Sequence, residues 1–116
     1  PILANQIKDA DGQFDELHSW ITANLTEDLK VERLAEHVGM SARNFARVYL
    51  AATGQTPAKS VELIRLTAAR TQLEDTEDPV SVVAQRTGFM DKERLRRAMQ
   101  RSLGLSPSQY RQHFGA

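Results

Sequence analysis

The sequence predicts an all-α fold of about seven helices, arranged as two similar subdomains joined by a central linker helix. Apolar residues recur at spacings of three and four, no segment alternates as a strand does, and one pattern of helix, turn and helix occurs twice. Apolar residues make up 41% of the 116 residues, which is enough for a globular core. No stretch approaches the roughly 18 apolar residues that a membrane span needs.

The first two helices are predicted from their apolar stripes. Segment 14–25 (FDELHSWITANL) places apolar residues three and four positions apart, which is typical of a helix with one buried side. Segment 29–38 (LKVERLAEHV) repeats this pattern. Gly39 follows directly, and glycine is the residue that most readily ends a helix in the left-handed conformation.

The third and fourth helices are predicted from their caps. Ser41 is a suitable N-cap for the third helix, and Gly54 closes that helix. Thr56 then caps the linker helix, with Pro57 in its first turn, where proline costs no hydrogen bond. The linker helix is expected to continue to about Asp75.

The last three helices are predicted in the same way. Asp78 followed by Pro79 predicts a cap and first turn for the fifth helix, and Gly88 ends that helix. Asp91 is the expected N-cap of the sixth helix. Ser106, again followed by proline, begins the seventh.

The repeat pairs residues about 50 positions apart. Gly39 pairs with Gly88 at an offset of 49, and Arg47 pairs with Arg97 at an offset of 50. Each copy has a small alanine four residues before the glycine, as in a helix-turn-helix unit whose second helix projects from the surface. A linker helix of roughly 19 residues would span about 28 Å, close to the roughly 34 Å between successive major-groove faces of one duplex.

The charge distribution favours a polyanionic partner at one end of the chain. The formal net charge is zero, from 15 basic and 15 acidic side chains. Residues 1–30 carry a net charge of −4 and residues 31–78 one of −1, whereas residues 79–116 carry +5. For binding to DNA, this uneven distribution of charge matters more than the net charge of the whole chain.

Several chemistries are excluded by composition. The chain has no cysteine, which excludes disulfides, thiolate nucleophiles, cysteine-ligated zinc and cysteine-dependent DNA alkyl-group repair. His18, His37 and His113 have no metal-ligand spacing with one another or with an acid. We therefore expect no metal, no cofactor and no enzymatic activity. With no signal peptide visible, the expected location is the cytoplasm, associated with the nucleoid.

Polar side chains of the third and sixth helices are chemically able to contact DNA. Arginine matches the two acceptors of guanine, asparagine matches adenine, and glutamate can accept from cytosine or orient an arginine. The predicted base contacts are Arg43, Asn44, Arg47, Glu93, Arg96 and Arg97. The predicted backbone contacts are Lys92, Arg94 and Arg101 and the helix starts at Ser41, Thr56 and Ser106. The alternative for each group is an ordinary solvated helix face.

Several motifs resemble the DNA-binding domain of AraC/XylS-type bacterial transcription regulators. They are GQTP at 54–57, RLTAARTQLEDT at 65–76, VAQRTGF at 83–89 and GLSPSQYR at 104–111. The similarity covers about residues 14–114. Segment 93–107 is similar to the subgroup whose amino-terminal half is a DJ-1/PfpI-like domain. The chain departs from the family at Ser60, where an aromatic residue is usual, and at Met99, where phenylalanine is usual.

The resemblance implies a sequence-specific regulator of transcription that binds double-stranded promoter DNA in two adjacent major-groove segments. It also implies contact with RNA polymerase and a homodimer formed through a domain absent from this chain. The chain begins PILANQ without an initiator methionine, which agrees with that expectation. The predicted organisation is a linker from the missing domain (1–13), a first subdomain (14–56), the linker helix (57–76) and a second subdomain (77–116).

A second hypothesis comes from a different class of protein. A helical protein–protein interaction module could dock an acidic partner through the basic C-terminal part of the chain. Such an adaptor does not require a repeated turn with polar groups at corresponding positions, so the repeat favours the DNA-binding interpretation.

Overall fold

The computed structural model describes residues 12–115. In that part of the chain there are seven helices and no strand, which confirms the predicted all-α fold. The helices are α1 Asp15–Ala23, α2 Val31–Val38, α3 Ala42–Thr53, α4 Pro57–Asp75, α5 Val80–Arg86, α6 Lys92–Leu103 and α7 Pro107–Phe114. The predicted incoming linker lies outside the described residues except at its end. None of the helices between residues 12 and 115 combines the length and apolar character needed to cross a membrane.

Two hydrophobic cores lie on either side of the linker helix α4. Helices α1, α2 and α3 surround the first core, whose largest buried side chains include Phe45 and Tyr49. Helices α5, α6 and α7 surround the second, which includes Leu95 and Met99. Helix α4 contributes to both cores: Val61 and Ile64 to the first, and Leu63, Leu66, Ala69 and Leu73 to the second. The linker helix is therefore part of both hydrophobic cores and does not merely separate the two subdomains.

The two halves repeat the same local geometry. Helices α3 and α6 each have 12 residues, and each begins at a side-chain cap. The Ser41 hydroxyl accepts from the Asn44 amide at 3.2 Å, and the Asp91 carboxylate accepts from the Arg94 amide at 2.8 Å. Each helix then ends at a left-handed glycine, Gly54 in α3 (φ 75°) and an equivalent glycine in α6. The caps predicted for these helices are confirmed.

Two helix ends differ from the sequence prediction. The fifth helix begins one residue late, because Pro79 is its N-cap and the Asp78 side chain does not cap it. The Asp78 carboxylate instead accepts from Arg86 at 2.5 Å. The first helix ends at Ala23, so Leu25 lies in the following loop and is only partly buried.

The two departures from the family pattern are both buried. Met99 is fully enclosed in the second core. Ser60 is 1% exposed near the start of α4, and its hydroxyl has no hydrogen-bond partner among the described residues. A polar group buried without a partner lowers stability.

Candidate nucleic-acid interface

The exposed side of α3 is set by its helical phase. Phe45 and Tyr49 are buried, so the positions opposite to them on a helix of 3.6 residues per turn are Arg43, Arg47 and Leu50. All three side chains are exposed. Two predicted base contacts therefore lie at the centre of the outward face of this helix.

Asn44 lies at the edge of that face and is tied to Arg47. Its side-chain oxygen accepts from the Arg47 guanidinium at 2.7 Å. This bond leaves the Asn44 amide donors unused within the described structure and restricts the arginine to one side of the helix. Arg43 has no side-chain partner among residues 12–115 and remains the more adaptable of the two arginines.

The corresponding face of α6 carries a compact charge cluster. The Glu93 carboxylate accepts two bonds from Arg96, at 2.9 and 2.6 Å, and lies 3.8 Å from the Arg97 guanidinium. The hydrogen bond from Arg96 holds the pKa of Glu93 below its ordinary value, and the same bond raises the pKa of Arg96. Glu93 thus orients Arg96 on the surface of the helix and forms a looser ion pair with Arg97.

One flank of α6 faces the start of α7. Lys92 and Arg96 line a groove of about 520 Å³ together with Ser106, the N-cap of α7. The Ser106 hydroxyl accepts from the Gln109 amide at 3.1 Å, so the side chain is used as a cap. At the start of α7 only the Ser108 amide makes no hydrogen bond among the described residues, because Pro107 has no N–H and the next two amides donate to Ser106. That amide lies in the same groove as Lys92, Glu93 and Arg96. This arrangement suits a phosphate group.

The opposite flank of α6 faces a cleft between the two subdomains. Arg94, Arg97 and Arg101 line this cleft, whose volume is about 1100 Å³. Arg101 donates to the Glu62 carboxylate of α4 at 2.7 Å, and the Arg94 guanidinium lies 3.8 Å from Asp91. Both arginines therefore already have an intramolecular partner.

The predicted helix starts in the first subdomain are also caps. The Thr56 hydroxyl accepts from the Lys59 amide at 3.2 Å, and Ser41 caps α3 in the same way. Both residues are exposed. Their hydroxyls are engaged by their own helices, so contact with a phosphate would come from the first backbone amides.

Two residues of these faces were not among the predicted contacts. Leu50 is 49% exposed although it is apolar, and it lies on the outward face of α3. Gln100 is exposed at the equivalent position of α6, 50 residues later. The helical phase alone could have identified both. An aliphatic side chain in this place can contact the methyl group of thymine, and a glutamine can pair with adenine.

The family model of a helix-turn-helix domain matches residues 34–113. The chain belongs to this family, as an AraC-type DNA-binding domain. A helix-turn-helix transcriptional regulator of Mycobacterium tuberculosis, Rv1931c, is 45% identical over 85 residues, which are 73% of this chain and 33% of that protein. The AraC-type assignment made from the sequence motifs is confirmed.

Solved structures agree with this assignment. The DNA-binding domain of AdpA, a global transcriptional factor solved in complex with target DNA, has 35% identity and a TM-score of 0.81 and covers 87% of this chain and 91% of that one. An AraC-type regulator from Chromobacterium violaceum has the same TM-score at 24% identity and supports the fold alone, covering 90% of this chain and 93% of that one. The family match, the regulator of Mycobacterium tuberculosis and the AdpA domain favour sequence-specific DNA binding over the adaptor hypothesis and over enzymatic activity.

The relatives are considerably longer than this chain. The chain spans between 33% and 40% of the length of the first curated relatives that it matches. Their further segments lie beyond what these residues describe. The DJ-1/PfpI-like subgroup therefore stays a prediction.

Proposed function

We propose that the domain reads two segments of one DNA duplex, with the outward face of α3 in one major groove and that of α6 in the next. The observation that carries this proposal is the repeat of an exposed arginine, Arg47 and Arg97, at the same place on two helices of equal length. In both helices the opposite side is buried in its own core. Each helix can therefore present its polar face without losing packing.

The base contacts are assigned to residues at the centre of each face and at its edge. We place Arg43 and Arg47 on guanine and Asn44 on adenine, and we add Leu50 as a contact to a thymine methyl group. In α6 we assign Arg96, which Glu93 orients by hydrogen bonds, and Arg97, which lies 3.8 Å from the same carboxylate. Glu93 can also accept from cytosine, and Gln100 is added to this set.

The phosphate contacts are assigned to the flanks. Lys92 shares a groove with Ser106 and with the Ser108 amide at the start of α7, and we assign this groove to one phosphate. On the cleft side, Arg94 and Arg101 would exchange their present carboxylate partners for phosphate oxygens. The starts of α3 and α4, at Ser41 and Thr56, would donate backbone amides to the same strand.

The remaining partners belong to the longer protein. We propose a homodimer formed by a domain outside this chain, action at promoters together with RNA polymerase, and a location in the cytoplasm at the nucleoid. The lengths of the curated relatives support a further domain.

The decisive experiment is selection of bound sequences from a random DNA pool, followed by fluorescence anisotropy as the salt concentration is raised. We expect two half-motifs about one helical turn apart and a steep loss of affinity with salt, because phosphate contacts release counterions. Equal affinity for every sequence would overturn the proposal. If the adaptor hypothesis held instead, the wild-type domain would bind DNA negligibly. Replacing both Arg47 and Arg97 by alanine would then leave its binding to an acidic protein partner intact.

A further inference from the structure

Arg65 lies where the two subdomains meet. It is on the linker helix α4, and its guanidinium donates to the backbone carbonyl of Leu25 at 3.0 Å and to that of Glu27 at 2.9 Å. Both carbonyls belong to the loop between α1 and α2 of the first subdomain. Partial burial lowers the pKa of Arg65, while the nearby Asp28 acts in the opposite direction.

The second subdomain touches the same point through Gly88. This glycine lies in the turn between α5 and α6 with φ of 90°, and a methyl group placed on it would lie 2.1 Å from the Leu25 carbonyl oxygen and 2.5 Å from the Arg65 Nε. The loop of the first subdomain, the linker and the turn of the second subdomain are therefore in direct contact. Side chains larger than hydrogen cannot fit at this position without separating them.

Gly39, the equivalent glycine of the first subdomain, has no such neighbour. Its φ is 74°, and a methyl group placed there would meet nothing within 4 Å. The two turns thus share the left-handed backbone but differ in what they contact. The close contacts of Gly88 with Leu25 and Arg65 therefore belong to the junction between the subdomains, because the turn at Gly39 forms without such contacts.

We propose that Arg65 and Gly88 form a junction that sets the relative position of α3 and α6, and so determines which spacing between two DNA half-motifs the domain accepts. The inference rests on the proposed two-groove mode of binding. Arg65 is a positioning residue here, since it holds backbone carbonyls and lies in the cleft beside α6. A junction that holds the subdomains in one orientation favours one spacing, because the second helix then binds at a high effective concentration.

The test measures affinity by anisotropy on duplexes that carry the selected half-motifs at the best spacing and at spacings one and two base pairs longer or shorter. Duplexes with one half-motif are measured in parallel at low salt. The variants are Arg65→Gln and Gly88→Ala. Gly39→Ala is the control for strain at a left-handed glycine, and Arg86→Gln is the control for loss of one positive charge.

We expect Arg65→Gln and Gly88→Ala to lose about tenfold in affinity at the best spacing and to discriminate poorly between spacings, with single half-motif binding nearly unchanged. Arg65→Lys keeps the charge but replaces the two nitrogens that contact the two carbonyls by one, so we expect an intermediate spacing profile. Gly39→Ala and Arg86→Gln should keep the wild-type profile. All variants are compared at a temperature well below their melting points.

If Arg65→Gln fails to fold, the comparison of Gly88→Ala with Gly39→Ala decides the question. A wild-type spacing profile in folded Arg65→Gln, or identical profiles for the two glycine variants, would overturn the role of the junction. A wild-type protein with no preference for sequence or spacing would overturn the proposed two-groove binding itself. The two failures are therefore distinguishable.

Discussion

Replacing Arg47 with alanine separates the role of α3 in binding from its role in the fold. Arg47 is exposed, and its side chain makes one hydrogen bond, to Asn44 three residues earlier at 2.7 Å. The substitution leaves the buried side of α3 untouched, including Phe45 and Tyr49. An exposed pair at this spacing contributes about 0.2–0.5 kcal/mol to a helix. The free energy of unfolding should therefore change by no more than about 0.5 kcal/mol.

The expected loss in DNA affinity is much larger. A bidentate contact between arginine and guanine is worth about 1–3 kcal/mol of discrimination, which corresponds to a loss of roughly 5- to 150-fold at the selected site. Affinity for a scrambled duplex should fall far less, because phosphate contacts dominate there. Without Arg47, the Asn44 side chain loses its intramolecular hydrogen bond and is free to adopt other orientations toward DNA. This offsets part of the loss in affinity.

The assay is anisotropy at one fixed salt concentration, on the selected site and on a scrambled site, with thermal unfolding followed by circular dichroism. Arg97→Ala is the matched variant at the repeated position, and Arg86→Ala controls for the loss of charge. If Arg47→Ala weakened binding to both duplexes equally, Arg47 would be a phosphate contact. Unchanged binding to the selected site would refute the assignment of α3 as a reading helix.

Three further outcomes are expected. Leu50→Ala should weaken binding, and replacing the contacted thymine by uracil should weaken the wild-type protein but not this variant; equal sensitivity to uracil would contradict the methyl contact. Ser60→Ala should raise the free energy of unfolding by about 1 kcal/mol, because an unpaired buried hydroxyl is removed. The corresponding rise in Tm is roughly 4–8 °C, and it should exceed any rise in the exposed control Ser19→Ala. Glu93→Gln should make Tm depend less strongly on pH at acid pH. The pKa of Glu93 lies below its ordinary value of 4.5, so its carboxylate adds stability above that pH and loses it as the pH falls through the lowered pKa; parallel Tm curves for the two proteins between about pH 2 and 6 would contradict this.

Helix caps and turns could be predicted from the sequence because their chemistry is local. Ser41, Thr56, Asp91 and Ser106 each cap the helix that follows, as their position before the apolar stripe indicates. The exception is Asp78, whose carboxylate is drawn to Arg86 eight residues later. A rule based on the first helical turn does not anticipate a competing partner eight residues away.

The candidate site was predictable in part. The repeat and the arginines on the outward faces are visible in the sequence, and Leu50 could have been added from helical phase. Pairs three residues apart, such as Glu93 with Arg96, are within reach of sequence analysis. Distant partners were not predictable, since Arg101 pairs with Glu62 across 39 residues. An arginine assigned to phosphate from the sequence can thus have a carboxylate partner in the unbound fold. Only the folded structure identifies that partner.

By itself, the sequence determined the helices, their caps and the polar composition of the second helix in each unit, because each depends on residues fewer than about five positions apart. The doubled unit is also visible in the sequence, because the same local pattern occurs twice. The tertiary structure alone decided how the two units are joined. Helix α4 buries residues in both cores, so its apolar pattern shows no single stripe from which a packing partner could be read. The contact of Arg65 with the Leu25 carbonyl spans 40 residues, and such a contact exists only once two cores have formed on the same helix.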